Sequence, residues 1–334
     1  MGSEIKPSYG LERIKLDEAV PLATPFTVFL SVATVCNFKC KYCIHSIGKA
    51  ALSQKGFTPE IMPWEIFLEA AKQIQQFKSK LKTLFLYGVG EPMCNKRLPE
   101  MVAHLKKLNV AEEIAFITNG SLLDRKSSTA LIDAGLDTLR ISLQGMSSGK
   151  YREICDFKIN FEELVENIRF FYENKGKTRL YVKIPDVALD AGDEDRFYQT
   201  FKAISDRMFV EKIVPVFHEI DYSSMIKSTS TTDLWGNVHD VRMVCPICFY
   251  TLTVLPNGDV YPCCMESDPA GLGNIKHTPL PAIWNGEKHL DFLRMQLEKK
   301  RMSNDICKHC TAPDTSAKLE DELDSRADEI LSRF

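Results

Sequence analysis

Between residues 27 and 217, six short β-branched or apolar runs alternate with longer amphipathic stretches, and that alternation leaves few folds open. The runs are 27–34 (TVFLSVAT), 83–87 (TLFLY), 113–117, 138–143, 180–184 and 211–217, and helical periodicity occupies 62–77, 98–108, 127–134, 161–174 and 195–206. Strict alternation of strand and helix implies a parallel sheet with right-handed crossovers. Periodicity alone leaves open whether such a sheet stays open or curls into a partial barrel. In either case the reactive loops gather at the C-terminal ends of the strands. A chain of 334 residues with 44% apolar content can bury a sizeable core. Its net charge of −3 provides no overall attraction to nucleic acid or to an anionic membrane surface. No apolar run approaches the roughly 20 residues of a membrane span, and the first residues, MGSEIKPSYG, lack a signal-peptide stretch. The expected setting is cytoplasmic, with neither nucleic acid nor membrane as partner.

The chain has 11 cysteines, an odd number without a secretion signal, which favours metal sites over a disulfide framework. They cluster: Cys36, Cys40 and Cys43 directly follow the first strand, six lie from Cys245 to Cys310, and only Cys94 and Cys155 stand apart, where packing accounts for them. Two sites are expected, one near each end. Zinc fingers pair their ligands, whereas three close thiolates suit an iron–sulfur cube with one iron left open to bind a small molecule and pass it an electron. Three buried thiols, or a zinc ion completed by His45, are the other uses of that cluster. In the second group, Pro256, Asn257 and Gly258 form a hairpin turn between TLTVL and DVYPC, which brings the flanking cysteines together. With the distant CKHC (307–310) that pattern is open to a zinc ribbon as well as to a cluster.

The spacing C-x3-C-x-aromatic-C, as Cys36, Cys40, Tyr42 and Cys43, resembles the signature of the radical S-adenosylmethionine (SAM) superfamily. GVGEP (88–92), TNG (118–120) and RISLQG (140–145) stand where that family carries its glycine-rich, third-strand and fourth-strand motifs, so the likeness covers roughly residues 24–220. It implies an α/β fold, a partial (β/α)6 TIM-type barrel with a small C-terminal cysteine-rich twitch domain made of a β-hairpin plus a helix. It also implies a 4Fe-4S cluster on Cys36, Cys40 and Cys43, and SAM held by Tyr42, Gly88, Gly90, Glu91, Asn119, Ser142 and Gln144. The C-terminal pattern resembles the twitch form of the SPASM extension, which holds one auxiliary 4Fe-4S cluster, giving two in all. Either Cys245 or Cys248 satisfies the spacing. In similar sequences the place of Cys245 is the usual ligand, so the resemblance assigns Cys245, Cys263, Cys307 and Cys310 and leaves Cys248 and Cys264 spare.

The expected organisation is an N-terminal extension (1–23), barrel (24–220), linker (221–243, with Trp235 against the cluster domain or substrate), twitch domain (244–315) and C-terminal helix (316–334). As a radical SAM enzyme, the chain would make a 5'-deoxyadenosyl radical and take a hydrogen atom from a sugar, aminocyclitol or related polar molecule, drawing its electrons from a flavodoxin- or ferredoxin-type reductant. Oxidation would send an electron to the auxiliary cluster, as in the family's aminocyclitol dehydrogenases, and needs a base. Epimerisation would need a thiol, for which Cys248 is the candidate. Arg140, Arg152, Lys183, His218 and Glu219 are base candidates by location, and His218 with Glu219, read as the end of the sixth strand, comes first for substrate contact. A ribosomal peptide maturase is the alternative, disfavoured because little chain precedes the first strand to form a peptide-recognition domain. A non-catalytic iron–sulfur or zinc scaffold would leave GVGEP and SLQG unexplained.

Overall fold

The computed structural model describes residues 2–7, 13–54, 58–226, 232–238, 240–263 and 271–334. Ten strands form a single sheet: β1 (Glu4–Ile5), β2 (Thr27–Leu30), β3 (Leu81–Leu86), β4 (Ala111–Thr118), β5 (Thr138–Ser142), β6 (Arg179–Pro185), β7 (Arg207–Glu211), β8 (Thr251–Val254), β9 (Asp259–Tyr261) and β10 (Gly273–Asn274). Their spatial order is β1-β7-β6-β5-β4-β3-β2-β8-β9-β10. Strands β2 to β7 are parallel and neighbour one another in chain order, so the chain steps round in one direction as in a barrel. The barrel does not close: β1 continues the sheet beyond β7, and β8 pairs in parallel with β2.

Crossover helices Trp64–Ile74, Leu98–Leu108, Arg125–Asp133, Phe161–Asn174 and Asp193–Phe201 cover the outer face. Each buries one apolar stripe against the sheet, as Phe67 and Ala70 do in the first and Met101 and Leu105 in the second. Local chemistry sets their ends. Asp124 and Ser127 form a reciprocal capping box at the third helix, and Asn109 ends the second in the left-handed region with φ 54°. A further helix, Ser148–Cys155, precedes Phe161–Asn174 and escapes sequence periodicity because it is short and polar.

The expected sixth strand at 211–217 is misplaced by four residues. β7 spans Arg207–Glu211, pairing Tyr181 with Arg207 and Pro185 with Glu211. Although 211–217 is richer in β-branched residues, Pro215 has no N–H to donate to a ladder, and the strand ends before it. Glu211, rather than His218 and Glu219, therefore stands at the reactive end of the strand.

The hairpin around Pro256 to Gly258 forms as expected, with Gly258 at φ 93° and its N–H bonded to the Leu255 carbonyl at 2.9 Å. It extends the barrel sheet through β8, so barrel and cysteine-rich segment share one hydrogen-bonded framework. A second apolar core joins Leu16 and Val20 near the N-terminus to Val244, Cys248, Phe249, Leu293, Leu297, Leu323 and Ile330. The C-terminal stretch is not one helix. It runs as short turns to a final helix, Ala327–Leu331, pinned to the N-terminal segment by Arg326 on Asp17 at 2.7 Å and by an Arg13–Asp321 ion pair. No helix among the described residues is long and apolar enough to cross a membrane.

Candidate active site

The loop after β2 carries Cys36, Cys40 and Cys43, and the structure shows what holds it. Backbone N–H groups of Lys39 and Lys41 donate to the carbonyls of Cys155 and Ile154 at 2.9 Å, tying the loop to the C-terminal end of helix Ser148–Cys155. Phe38 donates its N–H to Cys36 Sγ at 3.4 Å. Burial pushes the Cys36 and Cys43 thiols up to about 12, and Cys40 is raised by a hydrogen bond with Cys155 and by burial. These cysteines are thus neutral thiols until a metal displaces their protons. His45 does not complete a zinc set with them; its Nε2 lies 3.1 Å from the Val89 carbonyl. Among the described residues, no three His, Cys, Asp or Glu side chains converge on a point as a single ion requires.

Gly90 is a requirement of this loop. A Cβ there would collide with the Ala33 and Val35 carbonyls on the segment between β2 and Cys36, while Glu91 N–H bonds Val35 O at 2.8 Å. Gly90→Ala is therefore expected to cost the first site its metal, read as about half the iron lost and weakened SAM binding in equilibrium dialysis, with the far-ultraviolet dichroism unchanged. Full iron retention would show that the loop can yield.

Glu91 is buried and fully engaged inside the protein, accepting from Thr118 Oγ1 and Asn119 N at 2.7 Å and from Met93 N at 3.0 Å. Burial still raises its carboxyl. It clamps the third-strand motif to the glycine-rich loop. Asn119 extends the clamp, donating to Asn37 Oδ1 at 2.9 Å beside Cys36. Gln144 donates to the Ser142 carbonyl at 3.0 Å and accepts from the Tyr42 hydroxyl. Tyr222, from the linker, donates to the Tyr42 carbonyl at 2.8 Å.

These elements surround a cavity of about 380 Å³. Its lining includes Tyr42, Cys43, Gly88 and Ser142, and also Thr311, Ala312, Thr315 and Ser316, just after the last cysteine. Lys183 and Glu211 line it too, 2.5 Å apart, on adjacent strands and projecting to the same face. His218 and Glu219 also line the cavity; His218 is 61% exposed at the rim and stacks on His309 at 5.4 Å, while Glu219, 3.3 Å from His218 Nε2, is only 15% exposed. Arg140 lies over the Phe85 ring in the barrel interior, and Arg152 is exposed on an outer helix; neither lines the cavity.

A second cleft gathers Cys245, Cys248, Cys263, Cys307 and Cys310. Cys248, the candidate thiol for epimerisation, is wholly buried there, its Sγ donating to the Cys245 carbonyl at 3.2 Å, and does not line the large cavity. Cys245 is lowered by a hydrogen bond from Cys248, and burial lifts Cys307 to about 11. Cys264 lies outside the described residues. Ala312 lines both cleft and cavity. Trp235 packs under Lys318 of the C-terminal stretch.

Residues 30–202 match the sequence pattern of the Radical SAM superfamily. The chain belongs to this superfamily. Residues 245–311 match the SPASM iron–sulfur cluster-binding domain. The radical SAM fold and its extension bind SAM and 4Fe-4S clusters, and the thiol groups fit them: three on one loop with a backbone N–H on sulfur, and five around one cleft. The GTP 3',8-cyclase of Helicobacter pylori is 24% identical over 205 residues, 61% of this chain and 60% of that protein. The probable GTP 3',8-cyclase of Methanococcus vannielii is 32% identical over 125 residues, 37% of this chain and 38% of its own. The chain thus spans at most about 60% of the length of these relatives. Among solved structures, BtrN in complex with AdoMet and 2-DOIA superposes with TM-score 0.56 at 18% identity, covering 89% of this chain and 97% of BtrN. Streptococcus suis SuiB bound to precursor peptide SuiA superposes with TM-score 0.63 at 14% identity, covering 92% and 78%. Both likenesses concern the fold.

Glu211, Thr311, Thr315 and Ser316 are cavity residues that sequence reasoning did not find. Only the correct end of the sixth barrel strand would have exposed the first, and nothing in the sequence marks the other three.

Proposed function

We propose that this radical SAM enzyme oxidises a small, polar, uncharged or zwitterionic molecule such as a sugar or aminocyclitol. In this reading Cys36, Cys40 and Cys43 hold the first cluster, and Cys245, Cys263, Cys307 and Cys310 the second. When bound, the first cluster with SAM supplies a 5'-deoxyadenosyl radical that takes a hydrogen atom from an unactivated C–H bond, and the second supplies a one-electron acceptor. The observation that carries the reading is a lining common to both cysteine groups: Cys43 of the first lines the cavity, and so does Ala312, which also lines the second cleft.

The protein's own residues complete the reaction. Tyr42, Gly88 and Ser142 line the SAM side, with Glu91, Asn119 and Gln144 fixing the loops behind them. Glu211 takes the proton of the substrate hydroxyl or amine, and Lys183 holds its carboxylate in place. Hydrogen atom, proton and electron together amount to the oxidation of an alcohol to a carbonyl or of an amine to an imine. Barrel wall and residues 311–316 exclude water from the radical.

Charge pairing supports a substrate without a polyphosphate. Lys183 is matched by Glu211, and Lys212 lies 3.7 Å from Asp186, so these cavity lysines are already neutralised. A peptide is the second reading, because the exposed His218 rim would admit an extended chain and the fold is shared with SuiB.

The test is anaerobic turnover with SAM and dithionite in D2O over a panel of sugars, aminocyclitols and peptides, followed by mass spectrometry. A product short of a pair of hydrogens and free of solvent deuterium is expected. A product of unchanged hydrogen count carrying one deuterium would mean epimerisation, and modification of peptides alone would overturn the small-molecule reading.

A further inference from the structure

The second cleft contains a side chain whose hydrogen bonds are spent wholly on it. Gln296, in helix Glu287–Leu297, has no exposed surface. Its Oε1 accepts from the Cys245 N–H at 3.2 Å, which fixes the orientation of the amide, so Nε2 is the end that faces the Cys307 sulfur at 3.4 Å. A buried glutamine therefore joins a residue of each half of the cysteine set and gives one sulfur an N–H donor.

Beside it lies Arg301, 5% exposed. Its guanidinium donates to the Cys310 carbonyl at 2.6 Å, the Cys307 carbonyl at 3.2 Å and the Arg242 carbonyl at 2.8 Å, and the nearest carboxylate, Asp314, is 3.8 Å away. A fixed positive charge is thus buried next to the thiols with mostly neutral partners.

Hydrogen bonds to sulfur and nearby positive charge both stabilise the more negative, reduced state of an iron–sulfur cluster. We infer that Gln296 and Arg301 are positioning residues that make the second site a ready electron acceptor, with Gln296 tuning its potential through Cys307. The inference rests on the cluster assignment above and deepens it: a site built to take up an electron suits oxidation of the substrate rather than storage of structure.

The test uses the Cys36/Cys40/Cys43 triple alanine background, in which only the second cluster can assemble, and compares it with the same protein carrying Gln296→Leu or Gln296→Glu. Iron is counted, and the cluster is titrated potentiometrically with electron paramagnetic resonance as the readout. The expected result is unchanged iron, with the reduced-to-oxidised ratio at fixed solution potential lowered roughly tenfold in Gln296→Leu, about 59 mV for a one-electron couple, and further in Gln296→Glu. Unchanged iron with an unmoved potential in both variants would overturn the inference. Loss of iron in both would overturn it too, making Gln296 an assembly element. No iron in the parent would instead refute the cluster assignment.

Discussion

Replacing Cys36, Cys40 and Cys43 by alanine is expected to lower iron in the anaerobically reconstituted protein from about eight to about four atoms per chain and to abolish 5'-deoxyadenosine formation. The effect is local and electrostatic. All three thiols sit on one loop, held by backbone hydrogen bonds to the helix Ser148–Cys155; burial raises those of Cys36 and Cys43, and a hydrogen bond with Cys155 together with burial raises that of Cys40. Nothing else on that loop can substitute: His45 is committed to the Val89 carbonyl, and Cys155 lies behind Cys40, wholly buried. The second cleft has its own five cysteines and its own core around Phe249 and Leu297, so its iron should survive. Equal iron in both proteins, or zinc in either, would contradict the assignment of two clusters.

Glu211→Gln is expected to lower substrate oxidation by about 10² to 10⁴, the usual contribution of a positioned acid or base, with iron content unchanged and SAM cleavage continuing uncoupled from product. Once the hydrogen atom has left the carbon, the neighbouring O–H is far more acidic than in the parent alcohol, so a carboxylate suffices as acceptor. Glu211 sits 2.5 Å from Lys183 in the cavity that Cys43 and Ala312 also line. Glutamine preserves the shape and removes the basic oxygen. His218→Ala should change turnover less than tenfold, because His218 sits at the exposed rim. Full turnover in Glu211→Gln with loss in His218→Ala would reverse the two roles.

The chemistry of the first loop was legible in the sequence because spacing within eight residues decides which thiols meet, whatever the rest of the chain does. Strand and helix alternation was legible too, since parallel strands covered by helices write long apolar runs. The failures have particular causes. At 211–217 residue preference argued for a strand, and the missing N–H of Pro215 argued against it; the ladder follows hydrogen bonding, so Glu211 takes the place first given to His218 and Glu219. Glu91 was read as a cofactor contact, and its oxygens turn out to be occupied by Thr118, Asn119 and Met93, contacts across strands that no local pattern encodes. Cys248 shares its spacing with Cys245, and only the fold shows it buried in the second core rather than facing the cavity.

By itself, then, the sequence determined the three-thiol loop, the alternation of strands and helices and the presence of a second cysteine site, because each depends on neighbours within a few residues or on repeated periodicity. The tertiary structure decided what faces what. Pairing of β8 with β2 carries the second cysteine site back to the barrel, where Ala312 lines both cleft and cavity; pairing of β6 with β7 sets Glu211 against Lys183, and packing within the C-terminal half sets Gln296 against Cys307. Such contacts join residues far apart in the chain, and strand register and packing, not local preference, bring them within hydrogen-bonding reach.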